Sequence, residues 1–338
     1  MVNSFFDPPL ADPAYWAGKR VVVTGGAGFI GSHVVERLLP LCGHVAVPTR
    51  QLGQPRHLAH LAPNVQLLRG DLRDAEFAER ALRGCDVLLC LAAVVGGIHY
   101  NMEHHASILR DNLQVFLTTM EAARLSGVGR VLVTSSACVY PRDCRIPTPE
   151  QDGFAGRPEP TNEGYGWAKR MEEYLAQAYA REFGMSVAVA RPYNAYGPRD
   201  NFDPAASHVI PALIRKALEP GDTLTVWGSG RQSRSFLYVS DFVDGLIRIC
   251  ERAADAEPTN LGADEETTVG ELVEHLLRLS GSSKRVVFDA SRPEGQPRRH
   301  CDTTRLERVY AFRARVPLVD GLARTVDYYR EEVACRST

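Results

Sequence analysis

Tyr165 and Lys169 stand four residues apart in YGWAKRMEEYLAQAYAREFG, whose apolar spacing predicts a helix over 165–184 stopped at Gly184. Residues at i and i+4 share one helix face, so phenol and ammonium lie side by side. A cation beside a phenol lowers its pKa and lets it exchange a proton with an oxygen while a hydride moves. Ser136, ending a predicted strand over 130–136, supplies a hydroxyl that can orient the same oxygen. YxxxK alone arises by chance in many helices as a surface pair. Its position after five predicted strands, with Ser136 upstream, makes this one a candidate catalytic pair.

A hydride needs a carrier, and the chain offers a place for one. Gly25, Gly28 and Gly31 form GxxGxxG between a β-branched run, KRVVVT, and a helical pattern, HVVERLLPL. Glycine permits the tight turn and lets backbone N–H groups approach a pyrophosphate, and the following helix N-terminus adds its dipole. A plain Gly-rich turn is the competing reading, but strand, loop and helix occur together, which favours a dinucleotide. The second strand, 44–49, ends at Pro48-Thr49-Arg50. An acid there would bind a ribose 2′-OH; Arg50 instead suits a 2′-phosphate, so NADP (as NADPH) is favoured, with NAD as the alternative. Asp71 closes the third strand, 64–72, and is placed to meet the adenine or to cap the next helix.

Further strands over 86–93 and 186–192 and a helix over 103–126 complete an alternation of strands and helices. That pattern predicts an α/β fold: a Rossmann-type doubly wound parallel sheet, its strands apolar throughout because helices cover both faces. Three regions are expected: an extended N-terminal arm over 1–18, a dinucleotide-binding domain over 19–195 with some later segments returning to it, and a smaller lobe over 196–338, rich in Pro, Gly and Arg.

The balance of 39 Lys+Arg against 41 Asp+Glu carries no basic footprint for nucleic acid or an anionic membrane. No apolar run approaches the length of a membrane span, and the N-terminus lacks the pattern of a signal peptide. The eight cysteines are scattered, without CxxC pairs, which fits a reducing cytoplasm. His99, His104 and His105 cluster in GGIHYNMEHH, but no Cys or carboxylate pattern completes a metal site, and none is assigned.

GGAGFIGS, SSACVYP (135–141), YGWAK and RPYNAYGP together resemble the extended short-chain dehydrogenase/reductases, over nearly the whole chain. The segments VVGGI, EPTNEGYGWAK, YGPRDNFDPAASHVIPALIRKAL and VWGSGRQSRSFLYVSDF are most similar to the GDP-L-fucose synthases, with GDP-mannose 3,5-epimerases as nearest alternative. The resemblance implies a soluble, homodimeric oxidoreductase and epimerase of nucleotide sugars. It places Phe29, Ile30, Leu72, Ala92, Ala93, Pro192, Asn194 and Ala195 along the cofactor. It makes Cys138 and His208 a proton-exchanging pair at C3 and C5 of a 4-keto sugar, where the ketone acidifies both C–H bonds. On their own these two residues read as a small strand-end hydrophobe and a helix-start histidine. It puts Lys216, Trp227, Arg234 and Asp302 at the nucleotide end of a GDP-sugar, with Asn194, His208 and Arg299 also on the substrate and Arg298 assisting. Taken alone, each charge reads as solvated and Trp227 as a core anchor.

Two positions depart from the synthases. Ala27 replaces an arginine that helps select NADP in the bacterial enzyme, and Ala137 precedes Cys138 as in the mannose epimerases. The implied activity is a 3,5-epimerase/4-reductase acting on a GDP-4-keto-6-deoxyhexose. The alternatives are a redox-neutral GDP-sugar 3,5-epimerase with tightly bound NAD(P), and a non-catalytic dinucleotide-sensing regulator.

Overall fold

The computed structural model describes residues 10–204, 206–292 and 295–333. Its first element is a helical turn, α1 (Pro13–Trp16), where an extended arm was expected; residues 1–9 of that arm lie outside the described residues. Asp12 caps the turn, accepting from the Ala14 amide at 3.0 Å, and Pro13 takes the first helical position. Trp16 is what ties the turn down. It is fully buried, and its indole N–H donates to Glu251 at 2.7 Å.

Strands and helices then alternate: β1 (Arg20–Thr24), α2 (Phe29–Cys42), β2 (His44–Thr49), β3 (Val65–Arg69), α3 (Ala75–Leu82), β4 (Val87–Cys90), α4 (Ile98–Glu103), α5 (His105–Leu125), β5 (Arg130–Thr134), α6 (Glu163–Phe183) and β6 (Val187–Pro192). Shorter elements follow: β7 (Ala195–Tyr196), α7 (Val209–Leu218), β8 (Thr223–Trp227), β9 (Ser233–Ser235), β10 (Leu237–Tyr238), α8 (Val239–Arg252), β11 (Asp255–Leu261), β12 (Glu266–Thr268), α9 (Val269–Ser280), β13 (Arg285–Asp289), β14 (Arg298–Arg299), α10 (Thr304–Tyr310) and α11 (Leu318–Tyr328).

Seven strands form one parallel sheet in the order β11-β6-β5-β4-β1-β2-β3. This is the doubly wound arrangement that the alternation predicted. The strands are apolar on both faces because each face meets its own core. Val21, Val23 and Leu89 join one apolar cluster, while Val22, Leu88 and Val131 join the other. Each such buried side chain contributes roughly 1.5–3 kcal/mol relative to an exposed one.

Several strands end earlier than the apolar runs suggested, at Arg69, Cys90 and Thr134, all on the carboxyl edge of the sheet. At β4 the reason is local. The Thr24 hydroxyl accepts from the amides of Leu91 and Ala92, both at 3.1 Å, and peels the chain off the sheet toward the cleft. The single helix expected over 103–126 is divided at His104, whose ring stacks on Tyr100 with centroids 4.1 Å apart. The edge strand β11 has no apolar signature: DAEPTNL is mostly polar and carries a proline, which an edge position tolerates.

The remaining elements build a smaller lobe over the carboxyl edge. Within it, β8 pairs with β13, and β9 lies between β12 and β14. No helix among the described residues is long and apolar enough to cross a membrane.

Candidate active site

A cleft of about 980 Å³ runs between the carboxyl edge of the sheet and the smaller lobe. The glycine loop forms one wall. A Cβ on Gly31 would fall 2.2 Å from the Gly25 carbonyl oxygen, and one on Gly25 would fall 2.9 Å from the Ala92 amide. Side chains at these two positions would push the loop apart. Gly28 precedes α2 without any side-chain cap, so the leading amides of that helix meet the cleft beside Phe29 and Ile30. A dinucleotide pyrophosphate fits this cradle of bare backbone and helix dipole.

Arg50, Asp71, Leu72, Ala92 and Ala93 line the same wall farther along. Asp71 makes an ion pair with Arg73 at 2.6 Å, whose hydrogen bonds hold its carboxyl below the usual range. The helix cap considered for Asp71 is instead Asp74, which accepts from the Phe77 amide at 3.1 Å. Pro192, Asn194 and Ala195, at the end of β6 and start of β7, line the cleft as well.

Ser136, Tyr165 and Lys169 meet in the centre of the cleft. The Ser136 hydroxyl accepts from the Cys138 amide at 3.1 Å, which starts a one-turn helix over Ala137–Val139, and it is also hydrogen-bonded to Tyr165. Lys169 donates to the Thr134 carbonyl at 3.0 Å and to Glu172 at 2.8 Å, with its Nζ 5.6 Å from the Tyr165 ring centre. Burial works against this ammonium, but Glu172 and Tyr165 outweigh it and hold it charged. The lowered phenol expected beside Lys169 is not the net result. Burial pushes Tyr165 up to about 12, with Lys169 and the Ser136 bond pulling down and Cys138 and Glu172 pushing up.

Cys138 and His208 line this cleft too, so neither packs away in the core. Cys138 is half-buried, and Arg299 brings a guanidinium nitrogen to 3.9 Å from its sulfur. His208 precedes α7 from the opposite lobe, its side chain open to the cleft space. Surrounding protein nevertheless desolvates the imidazole and lowers its pKa.

At the far end, Lys216, Trp227 and Arg234 also line the cleft. Lys216 donates to the Thr225 carbonyl at 2.9 Å. Trp227 is 44% exposed, which rules out a core anchor, and Arg292 stacks 5.4 Å over its ring. Arg234 and Arg299 are register partners on the parallel pair β9 and β14, so two guanidinium groups border the same space. Asp302 is not brought to the cleft. Its carboxylate accepts from the Thr304 amide at 2.8 Å, starting α10. Arg298 also turns away, pairing with Glu266 at 2.7 Å, because neighbours on a strand face opposite sides.

Three features stand apart from those singled out in the sequence. Gln296 is buried, accepts from the Arg299 Nε at 2.9 Å and so aims that guanidinium. Asn101, on α4, donates at 2.7 Å to Asn162, which precedes α6, and both line the cleft. Glu172 stands behind Lys169. Gln296 and Asn101 gain meaning only once distant segments meet, whereas Glu172 is within reach of the sequence, since i and i+3 share a helix face. Among the described residues no cluster of three metal-ligating side chains occurs, and the side chain of His99 lies outside the description.

Residues 21–262 match the NAD dependent epimerase/dehydratase family. The chain is 35% identical over 321 residues to a probable GDP-L-fucose synthase 1 of Oryza sativa subsp. japonica, covering 94% of this chain and 93% of that one. It is also 35% identical to a dTDP-4-dehydro-6-deoxy-D-allose reductase of a Streptomyces species, covering 93% and 97%. A crystal structure of a dTDP-glucose 4,6-dehydratase double mutant from Streptomyces venezuelae with NAD bound superposes with a TM-score of 0.81 at 31% identity, covering 93% and 97%.

Proposed function

The chain belongs to the NAD-dependent epimerase/dehydratase family, and on that premise we propose that it is a nucleotide-sugar 3,5-epimerase/4-reductase that uses NADPH. It is an NAD(P)-dependent oxidoreductase/epimerase of the extended short-chain dehydrogenase/reductase type, and its ligand class is the nucleotide sugars. The observation that carries the finer reading is that Ser136, Cys138, Tyr165, Lys169 and His208 all line the cleft that also holds the glycine loop. A GDP-4-keto-6-deoxyhexose is the substrate this supports.

A bound nicotinamide dinucleotide supplies the hydride. The chain's own groups do the proton work. A 4-keto group acidifies the C–H bonds at C3 and C5. Cys138, with Arg299 beside it, takes a proton from one face, and His208, from the facing lobe, returns one to the other. Tyr165, protonated because its site is buried, gives its proton to the C4 oxygen, which Ser136 orients. Lys169 stabilises the charge left behind. Arg234 and Arg299 face the diphosphate, and Trp227 offers a flat surface to the base. Arg50 meets the 2′-phosphate.

Ala137, ahead of Cys138, favours one second reading, a redox-neutral 3,5-epimerase. Incubation with GDP-4-keto-6-deoxymannose and NADPH in deuterated water separates the two. Deuterium at C3 and C5 with loss of nicotinamide absorbance supports the epimerase/reductase. Exchange without NADPH loss supports the epimerase, and neither signal overturns both. A dTDP-sugar run in parallel reads the choice of base.

A further inference from the structure

Glu172 lies one turn beyond Lys169 on α6, on the face that carries Tyr165. Its side chain is buried, as is that of Lys169, and the two form an ion pair at 2.8 Å. Lys169 lines the cleft and Glu172 does not, so the ammonium is clasped between the reaction space and a carboxylate behind it.

A buried ion pair is seldom chosen for stability, since apolar residues of the same volume fill a core at least as well. Nor is Glu172 needed for helix packing through other partners. The neighbouring Glu173 takes that part, binding Arg191 at 2.7 Å from two directions and bonding Ser135. What Glu172 changes is the charge seen by Tyr165. A lone ammonium favours a phenolate, which serves an enzyme that oxidises alcohols. An ammonium whose pull is partly offset leaves the phenol protonated, which serves an enzyme that reduces ketones.

Resting on the assignment of Tyr165 as proton donor, we propose that Glu172 is a positioning residue that fixes the Lys169 ammonium and partly offsets its pull on the phenol, so that Tyr165 is kept in the protonated form a ketone reductase requires. In the step it supports, C4 gains the hydride of the nicotinamide and the C4 oxygen gains the phenolic proton. The Tyr165 O–H bond breaks and is restored from water, with Lys169 holding its place meanwhile. The other titratable groups facing this assembly are Cys90 from β4, Cys138 from the turn after β5 and Glu173 on α6.

The test is the pH profile of kcat for NADPH-dependent ketone reduction by the full chain, with GDP-4-keto-6-deoxymannose as probe, from pH 7 to 12, the range that reaches the raised phenol. Whichever of Tyr165 and Lys169 loses the first proton, loss is easier without a negative neighbour. In Glu172→Gln the alkaline limb therefore moves to lower pH by about one unit, a tenfold change in proton concentration, with KM within about twofold. Glu172→Asp restores the limb, and Glu172→Leu, compatible with burial, gives the same shift as Gln if Gln folds poorly. An alkaline limb unmoved in the folded Gln or Leu variant overturns the proposal. Tyr165→Phe serves as control. Reduction at the wild-type rate in that variant overturns the donor assignment itself, whereas an inactive Phe variant beside an unmoved Gln profile overturns only the role of Glu172.

Discussion

The guanidinium of Arg299 is held between the sulfur of Cys138, at 3.9 Å, and the side-chain oxygen of Gln296, at 2.9 Å. The residues come from two stretches of chain about 160 residues apart, yet together they set a positive charge against the proposed base of the epimerisation. Arg299→Ala is expected to slow deuterium exchange at C3 and C5 by about 10²-fold, the lower end of what a positioned base contributes. Gln296→Ala, which frees the guanidinium without removing it, is expected to give a smaller loss. Mass spectrometry of the recovered sugar measures both, and an unchanged exchange rate in Arg299→Ala refutes the pairing.

Arg50 stands at the end of β2 with Asp71 and Asp111 in its electrostatic reach. If it binds a 2′-phosphate, Arg50→Ala raises KM for NADPH by about 10- to 100-fold, the worth of one or two charge-assisted hydrogen bonds. KM for NADH stays where it was. Equal changes for both cofactors would assign Arg50 a structural part only.

Asp200, on the loop after β7, supplies a pH prediction. One carboxylate oxygen accepts from the Asn201 amide at 2.7 Å, the other is buried without a hydrogen bond, and burial pushes the group up to about 7. Its folded pKa is thus raised above the unfolded value near 3.8. The protonated form is the one the fold tolerates, so stability is fully present below about pH 4 and declines as pH rises toward 7. Asp200→Asn removes that decline. Thermal unfolding should show a gain in Tm at pH 8 that shrinks steadily toward pH 4; a gain independent of pH would mean that charge is not the cause.

Helices α5 and α6 pack against each other and leave Leu117, Leu125, Tyr174 and Phe183 exposed. A second copy of the same helix pair is the proposed cover, closing a four-helix interface. Light scattering coupled to size exclusion should give twice the 37.3 kDa chain mass at micromolar concentration. Leu117→Glu with Tyr174→Glu should return the monomer. A wild-type monomer at that concentration would exclude this interface.

The sheet was readable from the chain because its inner strands meet helices on both faces, leaving uninterrupted apolar runs such as VVVT and VLLC. The glycine loop and the Tyr165–Lys169 pair were readable because each is local, within one turn or one helix. Legibility failed wherever meaning depends on distant partners. β11 looks like a loop until β6 supplies its hydrogen bonds, and Trp16 looks like part of an extended arm until Glu251 receives its N–H. Arg298 and Arg299 are indistinguishable in sequence; strand alternation sends one to Glu266 and the other to Cys138. Asp302, read as a nucleotide contact, is engaged in starting α10.

Because β11 reaches its place beside β6 only after the chain has passed through β7, α7 and α8, the large sheet straddles much of the smaller lobe in sequence. A ribosome must therefore deliver residue 261 before the sheet can close its outer margin, and until then β6 presents an open row of amides and carbonyls to any passing strand. A gene cut at the apparent seam near residue 195 would yield a sticky fragment rather than a free-standing nucleotide binder, and chimaeras that exchange sugar specificity between relatives must carry β11 along with the host sheet.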